Sequence, residues 1–181
     1  WSSDVCSSDL AVVLAAGSWT SALSAGEAAE GGPVVRPIRG QLLQLRYEAR
    51  PCSHVVWGHD CYLVPWRDGT VLFGATVEDV GFDEHATVGG VTQLLRSLGR
   101  LLAEPAAARF EAVQVGLRPL TRDELPIIGA SSTRSGVFYA TGHYRNGILL
   151  APFTAHAVAD LVVDGRRSPL LDLVRPSREG L

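Results

Sequence analysis

GVFYATGHYRNGILLAPFTAHAVADLVVDG, residues 136–165, is the stretch that decides the fold. A short apolar strand is predicted for residues 136–141, a turn for residues 142–146 and a helix for residues 148–163. Gly165 follows the last apolar residues and predicts the end of that helix. A strand, a turn and a long helix in this order are typical of α/β folds, in which the helix packs back onto a parallel sheet.

A second unit with the same order lies near the other end of the chain, in AVVLAAGSWTSAL, residues 11–23. Its continuous apolar run predicts a strand that is buried on both faces, as in the centre of a parallel sheet. Gly17 permits a tight turn after this strand. Ser18 or Thr20 is the expected cap of a helix that begins near Trp19.

Between these two units the apolar pattern changes to a period of two residues, over residues 34–77. The segments QLLQLRYEA, HDCYLVPW and TVLFGATVE predict antiparallel strands, with a turn at residues 67–69 between the last two. Residues 88–104 have the apolar spacing of a helix, and residues 110–121 predict a further strand. The glycine-rich residues 25–33 are expected to be a linker.

Two structural classes therefore alternate along the chain, α/β at both ends and α+β between them. This order predicts part of a dinucleotide-type fold with an antiparallel-sheet domain that is inserted into it or partners it. We expect residues 11–33 and 117–181 to belong to the α/β fold and residues 34–116 to the antiparallel domain. Residues 1–10, WSSDVCSSDL, resemble a translated sequencing adapter. We expect them to be non-native and to make few contacts, with the natural protein extending upstream of Ala11.

The composition argues against several classes of protein. A hydrophobic content of 46% is that of a globular chain that forms a core. A net charge of −3 argues against a nucleic-acid surface, and no apolar run approaches the roughly 20 residues of a membrane span. The three cysteines lack metal-ligand spacing, which favours reduced thiols in the cytoplasm and no metal site. A pairing of Cys52 with Cys61 across a hairpin stays open.

Three segments carry candidate chemistry. In TGHYRNGILLAP, residues 141–152, glycines precede a helix whose N-terminus favours an anionic or electron-rich ligand atom. A plain strand–helix turn explains the same pattern equally well. Arg118 ends an apolar strand and is a buried ion-pair partner, a bidentate receptor for a carboxylate, or a surface residue. Tyr62 lies on a hairpin strand, where a tyrosine belongs more often to a core or an interface than to a catalytic site.

Six motifs, in this order and spacing, carry a family resemblance: VVLAAGSW, RPIRGQ, HDCYLVP, FGAT, GLRPLTRDELPIIG and GHYRNGILLAP. Through them, residues 11–165 resemble the C-terminal half of bacterial glycine oxidases, in the FAD-dependent D-amino-acid oxidase superfamily. The most specific signal is GLRP followed at this distance by GHxRNGILLAP. The resemblance implies that the α/β fold is an FAD-binding domain and that the antiparallel domain binds the substrate.

The resemblance also implies roles for individual residues. Arg118 matches the arginine that pairs with the substrate carboxylate, Tyr62 matches the tyrosine that assists it, and Arg145 matches a second arginine that lines the site. No side chain is implied as an acid or base catalyst. The residues that match the cofactor-binding positions are Ala16, Gly17 and Trp19 in one turn, and Gly142, His143, Tyr144, Arg145, Asn146, Gly147, Ile148 and Leu149 in the other.

The implied reaction is the oxidative deamination of glycine, sarcosine or a small D-amino acid. A hydride moves to FAD, and oxygen is reduced to hydrogen peroxide. The family also implies a link to the thiazole of thiamine and a homo-oligomer, often a tetramer. No GxGxxG fingerprint follows a strand in this chain. We therefore expect the chain by itself to bind FAD weakly or not at all, and to be inactive.

Several alternatives remain within and outside this family. Sarcosine oxidase, a quinone-linked D-amino-acid dehydrogenase and the oxidase half of a tRNA-modifying enzyme share the scaffold, although GHYRNGILLAP and HDCYLVP favour the glycine oxidase branch. A stand-alone interaction domain without flavin is the alternative from a different class. An upstream GxGxxG unit in frame with Ala11 would favour the oxidase over that domain.

Overall fold

The computed structural model describes residues 11–23, 33–102 and 104–178. The prediction for residues 1–10, and the linker prediction except for Pro33, lie outside these ranges. In chain order the elements are β1 (Val12–Leu14), a 3₁₀ helix (Gly17–Trp19), α1 (Thr20–Leu23), β2 (Arg36–Arg46), β3 (Val56–Trp57), β4 (Tyr62–Pro65), β5 (Thr70–Gly74), α2 (Val88–Leu101), a 3₁₀ helix (Pro105–Ala107), β6 (Arg109–Leu120), β7 (Ile127–Ala130), β8 (Val137–Thr141), α3 (Gly147–Val163) and a 3₁₀ helix (Pro169–Leu173).

The described residues form two compact units. One, here called the α/β unit, contains the residues up to Pro37 and those from Arg118 onward. The other, here called the antiparallel unit, is Ile38–Leu117. The two structural classes that the sequence predicts thus occur as separate units.

A three-stranded sheet in the order β1-β8-β7 organises the α/β unit. Strand β1 is parallel to β8, and β7 is antiparallel to it. Helix α3 packs on β7 and β8, where Ile128 meets Ala157, Val158 and Leu171 in a small core cluster. Each large aliphatic side chain that leaves water in this way contributes about 1.5–3 kcal/mol. The predicted strand–turn–helix over residues 136–165 is confirmed.

Two details predicted for the opening unit are wrong. Strand β1 pairs in parallel as predicted, but Val12 and Val13 are 46% and 42% exposed, because β1 is the edge strand of the described sheet. The predicted cap is also misplaced. Ser18 lies inside the 3₁₀ helix, and Thr20 is itself the first residue of α1, so neither precedes a helix as a cap must.

The antiparallel unit is built on a five-stranded sheet in the order β3-β4-β5-β2-β6. The predicted hairpins are confirmed, with Tyr62 opposite Gly74 and Gly74 opposite Leu42. Along these strands, every second side chain points towards α2 and forms a core beneath it. The side chains between them point to the other face of the sheet and stay partly exposed. The core side chains include Leu43, Leu45, Leu63, Val71, Phe73, Leu94 and Leu98.

Helix α2 begins and ends at recognisable signals. The Thr87 hydroxyl accepts a hydrogen bond from the amide of Gly90 and caps the helix. The helix ends at Leu101 rather than at the predicted residue 104, because Leu102 is already extended. The short strand β3 was not predicted, since two residues show no periodicity.

The two cysteines in the described ranges, Cys52 and Cys61, are both free. The disulfide left open above is therefore not formed. Burial raises the pKa of the Cys61 thiol, so that it stays protonated at neutral pH. None of the described helices has the length and apolar composition needed to cross a bilayer.

Candidate functional site

Two turns of the α/β unit meet at the carboxyl ends of its parallel strands. One follows β1 and contains Ala16 and Gly17, and the other follows β8. The Thr20 and Thr141 hydroxyls lie 2.8 Å apart, and they lie 2.8 Å and 3.1 Å from the Gly17 carbonyl oxygen. In open α/β sheets, ligands bind in the crevice outside the carboxyl ends of the strands. The structure thus joins the two segments that the family resemblance assigns to the cofactor.

Gly142 is required where the second turn begins. Its φ is +73°, a region that other residues rarely adopt. A Cβ at this position would lie 2.6 Å from Thr121 Cγ2 and 3.5 Å from the Ile127 amide nitrogen. The turn therefore packs tightly against the TRDELPI segment, and no larger residue fits there without movement.

The same turn is tied to the end of β6. The Tyr144 amide donates a hydrogen bond of 3.0 Å to the carbonyl oxygen of Pro119. Arg118 directly precedes Pro119, and Arg145 directly follows Tyr144. The two arginines that the family resemblance assigns to the substrate therefore flank one backbone hydrogen bond.

His143 anchors the turn to α3. Its Nε2 lies 2.9 Å from the Thr154 hydroxyl, in the second turn of the helix. Burial lowers the pKa of His143, because the charged imidazolium loses its hydration. The imidazole is therefore uncharged at neutral pH and acts as a hydrogen-bonding group.

The N-terminus of α3 is open. Asn146 precedes the helix without capping it through its side chain, and the first turn contains no acidic residue. Ile148 and Leu149 are 95% and 78% exposed. The partial positive charge of the free amides at the start of this 17-residue helix suits an electron-rich ligand edge.

An apolar groove of about 500 Å³ runs along the length of α3, from Gly147 to Val163. Ala15, which follows β1, lines it together with Ala140 of β8 and Ala151 and Ala155 of α3, and His143 and Thr154 are its polar lining residues. Apolar walls with a small number of polar groups are typical of a small-molecule site.

Arg145 is exposed and carries no ion pair within the described residues. Its guanidinium carbon lies 5.3 Å from the centroid of the Tyr144 ring. An arginine that no neighbouring carboxylate neutralises can bind an anionic group. Arg118 is half-buried at the end of β6 and has interactions of its own.

Tyr62 belongs to the antiparallel unit. It lies on β4 opposite Gly74, and a Cβ added to that glycine would lie 3.6 Å from the Tyr62 hydroxyl. The ring also packs on Trp57, with centroids 5.2 Å apart. The convergence of Tyr62 with Arg118 and Arg145 in one pocket stays a prediction.

Some contacts of this site were not predicted from sequence. The hydrogen bond between Thr20 and Thr141 joins residues that are 121 positions apart in the sequence, and no local pattern predicts it. Thr154 was not identified as the partner of His143, although a polar residue on an apolar helix was a usable signal. A larger cavity, about 620 Å³, lies in the antiparallel unit around Arg46 and Tyr47 and contains none of the predicted site residues.

Comparison with known proteins identifies clear relatives. The chain is 41% identical over 171 residues to the bifunctional protein ThiO/ThiG of Trichormus variabilis. That alignment covers 92% of this chain and 25% of the ThiO/ThiG protein. The chain is 39% identical over 153 residues to the glycine oxidase of Geobacillus kaustophilus. That alignment covers 84% of this chain and 40% of the glycine oxidase. The crystal structure of glycine oxidase from Geobacillus kaustophilus matches with a TM-score of 0.84 at 36% identity, covering 93% of this chain and 45% of that one. The chain thus spans less than half the length of these relatives.

A family model described as FAD dependent oxidoreductase matches residues 4–161. This range includes both turns of the candidate site, the end of β6 with Arg118, and the whole antiparallel unit. The match therefore covers the structural features described above, and the chain belongs to the family of FAD dependent oxidoreductases.

Proposed function

We propose that this chain is part of an FAD-dependent oxidase of glycine, sarcosine or small D-amino acids, and that it carries the substrate-carboxylate site. The observation that carries the proposal is the position of Arg145. It is exposed, lacks an ion-pair partner in the described ranges, and adjoins the hydrogen bond between Tyr144 and Pro119, next to Arg118. Two arginines held this way suit the bidentate recognition of a carboxylate.

The residues of the two turns fit the ring of FAD. The α3 terminus offers free amides and no acidic side chain, which favours negative charge on a reduced ring edge. The neighbouring groove is apolar, as a planar aromatic ring requires. The residues proposed to hold the ring are Ala16, Gly17 and Trp19 on one side and Gly142 to Leu149 on the other.

FAD held by the two turns would supply the hydride acceptor for oxidation of the substrate α-carbon, with oxygen as the final electron acceptor, giving hydrogen peroxide, and with water hydrolysing the imino acid. Arg118 and Arg145 bind the carboxylate, and the Tyr62 hydroxyl donates a hydrogen bond to it. They bind the substrate in one orientation, with its α-hydrogen facing the flavin ring, and they contribute to the rate through this orientation. No side chain of this chain needs to act as a general base. The uncharged His143 holds the turn against α3 through its hydrogen bond with Thr154.

The remaining assignments follow from the same proposal. The antiparallel unit, Ile38–Leu117, is proposed to be the inserted substrate domain that the sequence placed at residues 34–116, and the residues on either side are proposed to belong to the FAD domain. The natural partners are a small amine and oxygen, in a cytoplasmic homo-oligomer with no nucleic-acid or membrane partner. The similarity to proteins named ThiO/ThiG supports a link to thiamine thiazole synthesis.

The test is to express the full-length natural protein that contains residues 11–178. We expect a yellow protein that releases peroxide with glycine, sarcosine or D-alanine. A yellow protein that turns over none of these amines would refute the proposed substrate class. Turnover with a quinone but not with oxygen would instead favour a D-amino-acid dehydrogenase.

A further inference from the structure

Tyr144 has a backbone conformation that few residues adopt. Its φ is +49°, and Glu124 is the only other non-glycine residue in the described ranges with a positive φ. An L-residue persists in this region only when its surroundings hold it there, and such residues cluster at ligand sites.

The surroundings of Tyr144 are fixed on both sides. Its own amide is bonded to the Pro119 carbonyl, and the Asn146 amide donates to the His143 carbonyl over 2.8 Å. On the N-terminal side, the fit of Gly142 against Thr121 leaves no room for adjustment. The turn therefore holds Tyr144 in one conformation.

The ring of Tyr144 provides the one interaction of the Arg145 guanidinium within the described residues. The distance of 5.3 Å is that of a cation–π contact. Without the ring, an exposed arginine samples many rotamers, and a carboxylate ligand would have to order it on binding.

We propose that Tyr144 is a positioning residue for Arg145, and that its ring holds the guanidinium where the substrate carboxylate binds. Its backbone bond to Pro119 ties the turn that carries Arg145 to the residue that follows Arg118. The inference rests on the proposed function, because that function makes Arg145 a carboxylate ligand. It concerns the ring and not the phenol hydroxyl, so phenylalanine should substitute for tyrosine.

The experiment uses the full-length flavoprotein and the variants Tyr144→Phe, Tyr144→Leu, Arg145→Leu and the double variant. Leucine keeps the same backbone cost as tyrosine at positive φ, so Tyr144→Leu removes only the ring. Phe153→Leu, a loss of an aromatic ring from α3, is the matched control. The readouts are KM and kcat for glycine and, independently of turnover, the Kd of acetate by calorimetry. Flavin absorbance and the thermal midpoint report folding.

We expect Tyr144→Leu to raise the KM of glycine and the Kd of acetate by about 3- to 10-fold, with kcat within about 2-fold. Phe153→Leu should match wild type in every readout, and Tyr144→Phe, which keeps the ring, should bind acetate as tightly as wild type does. In the Arg145→Leu background, Tyr144→Leu should have no further effect, because the ring acts through the guanidinium.

Two results would overturn the inference while leaving the proposed function intact: an active Tyr144→Leu enzyme with wild-type KM and Kd, or an equal effect of Tyr144→Leu with and without Arg145. An enzyme that oxidises no amine but binds acetate with the expected dependence on Tyr144 would refute the proposed function and support the inference. An enzyme that neither oxidises amines nor binds acetate would refute both. If Tyr144→Leu loses flavin, a Tyr144→Phe variant with weakened acetate binding would still contradict the role given to the ring.

Discussion

The two units of this chain bury their apolar residues in different ways. The antiparallel unit has one contiguous core, in which Leu43, Leu63 and Phe73 are completely buried under α2. The α/β unit has two smaller clusters, around Ile128 and around Tyr139, and it leaves much of β1 and α3 exposed. In the antiparallel unit, the apolar residues of the strands and of α2 are buried against one another. In the α/β unit, the conformation of the candidate site depends on turn geometry and hydrogen bonds.

Their polar contacts differ as well. In the antiparallel unit, buried Arg39 donates to Glu78 and Asp83, each over 2.6 Å, and Gln41 donates to the other oxygen of Glu78 over 2.7 Å. In the α/β unit, the Thr20–Thr141 pair and the His143–Thr154 pair join the elements around the site. One network stabilises a sheet, while the other contacts hold the two turns of the site in place.

The largest expected effect lies in the core of the antiparallel unit. Phe73→Ala should lower the free energy of unfolding by about 3–5 kcal/mol, because it removes a completely buried ring and leaves a cavity. Phe110→Ala, at an exposed position of β6, is the control and should cost less than about 1 kcal/mol. Urea unfolding measures both. Equal losses for the two variants would contradict the single-core description.

A glycine substitution probes the tight turn of the α/β unit. Gly142→Ala should destabilise the protein by about 1–3 kcal/mol, since alanine meets Thr121 and requires a positive φ. Gly99→Ala is the matched control in α2, where the added methyl group meets nothing within 4 Å. There we expect a gain of about 0.5–1 kcal/mol from helix propensity and reduced chain entropy. A stabilised Gly142→Ala variant would show that the turn is not held as described.

The acid stability of the α/β unit should depend on Asp123. The Arg178 guanidinium binds this carboxylate over 2.6 Å and lowers its pKa from 3.8 to about 2. Because the folded pKa lies below the unfolded one, the stabilisation is complete above about pH 4. It is lost as the pH falls towards about 2. The shift corresponds to ~2 kcal/mol at most, and partial exposure reduces it to ~1 kcal/mol.

Asp123→Asn tests this contribution. The thermal midpoint of the variant should fall below that of wild type at pH 7, and the two should converge as the pH approaches the folded pKa. Asp172→Asn, at an exposed ion pair with Arg167, is the control and should change little. A constant difference between Asp123→Asn and wild type from pH 7 to the acid limit would contradict the assignment.

The smallest expected effect concerns a tyrosine hydroxyl in the antiparallel core. The Tyr47 hydroxyl is buried and has no hydrogen-bond partner in the described part of the chain. Tyr47→Phe should therefore stabilise the protein by up to about 1 kcal/mol, because the desolvated hydroxyl is removed. A loss of stability in urea unfolding would show that the hydroxyl has a partner.

Local pattern predicted most of the elements in both units, and the reason is periodicity. The spacing of apolar residues in α2 and in the hairpins reports which face each element buries, and those predictions are confirmed. The exposure of Val12 and Val13 was predicted wrongly, because an apolar run reports hydrophobicity but not which strands lie beside it. Contacts such as Thr20 with Thr141 depend on the assembled sheet, so no local pattern predicts them. The roles of Arg118, Tyr62 and Arg145 came from the family resemblance alone and remain proposals.

Arg118 is proposed to bind the substrate carboxylate, and one measurement tests this role most directly. Peroxide release with glycine is compared for the full-length wild type, Arg118→Ala and Arg96→Ala, an exposed arginine of α2 that serves as the control. We predict that Arg118→Ala keeps its flavin absorbance and loses about 2–5 kcal/mol of substrate binding, while Arg96→Ala behaves as wild type. An Arg118→Ala enzyme with wild-type kinetics would contradict the role proposed for Arg118.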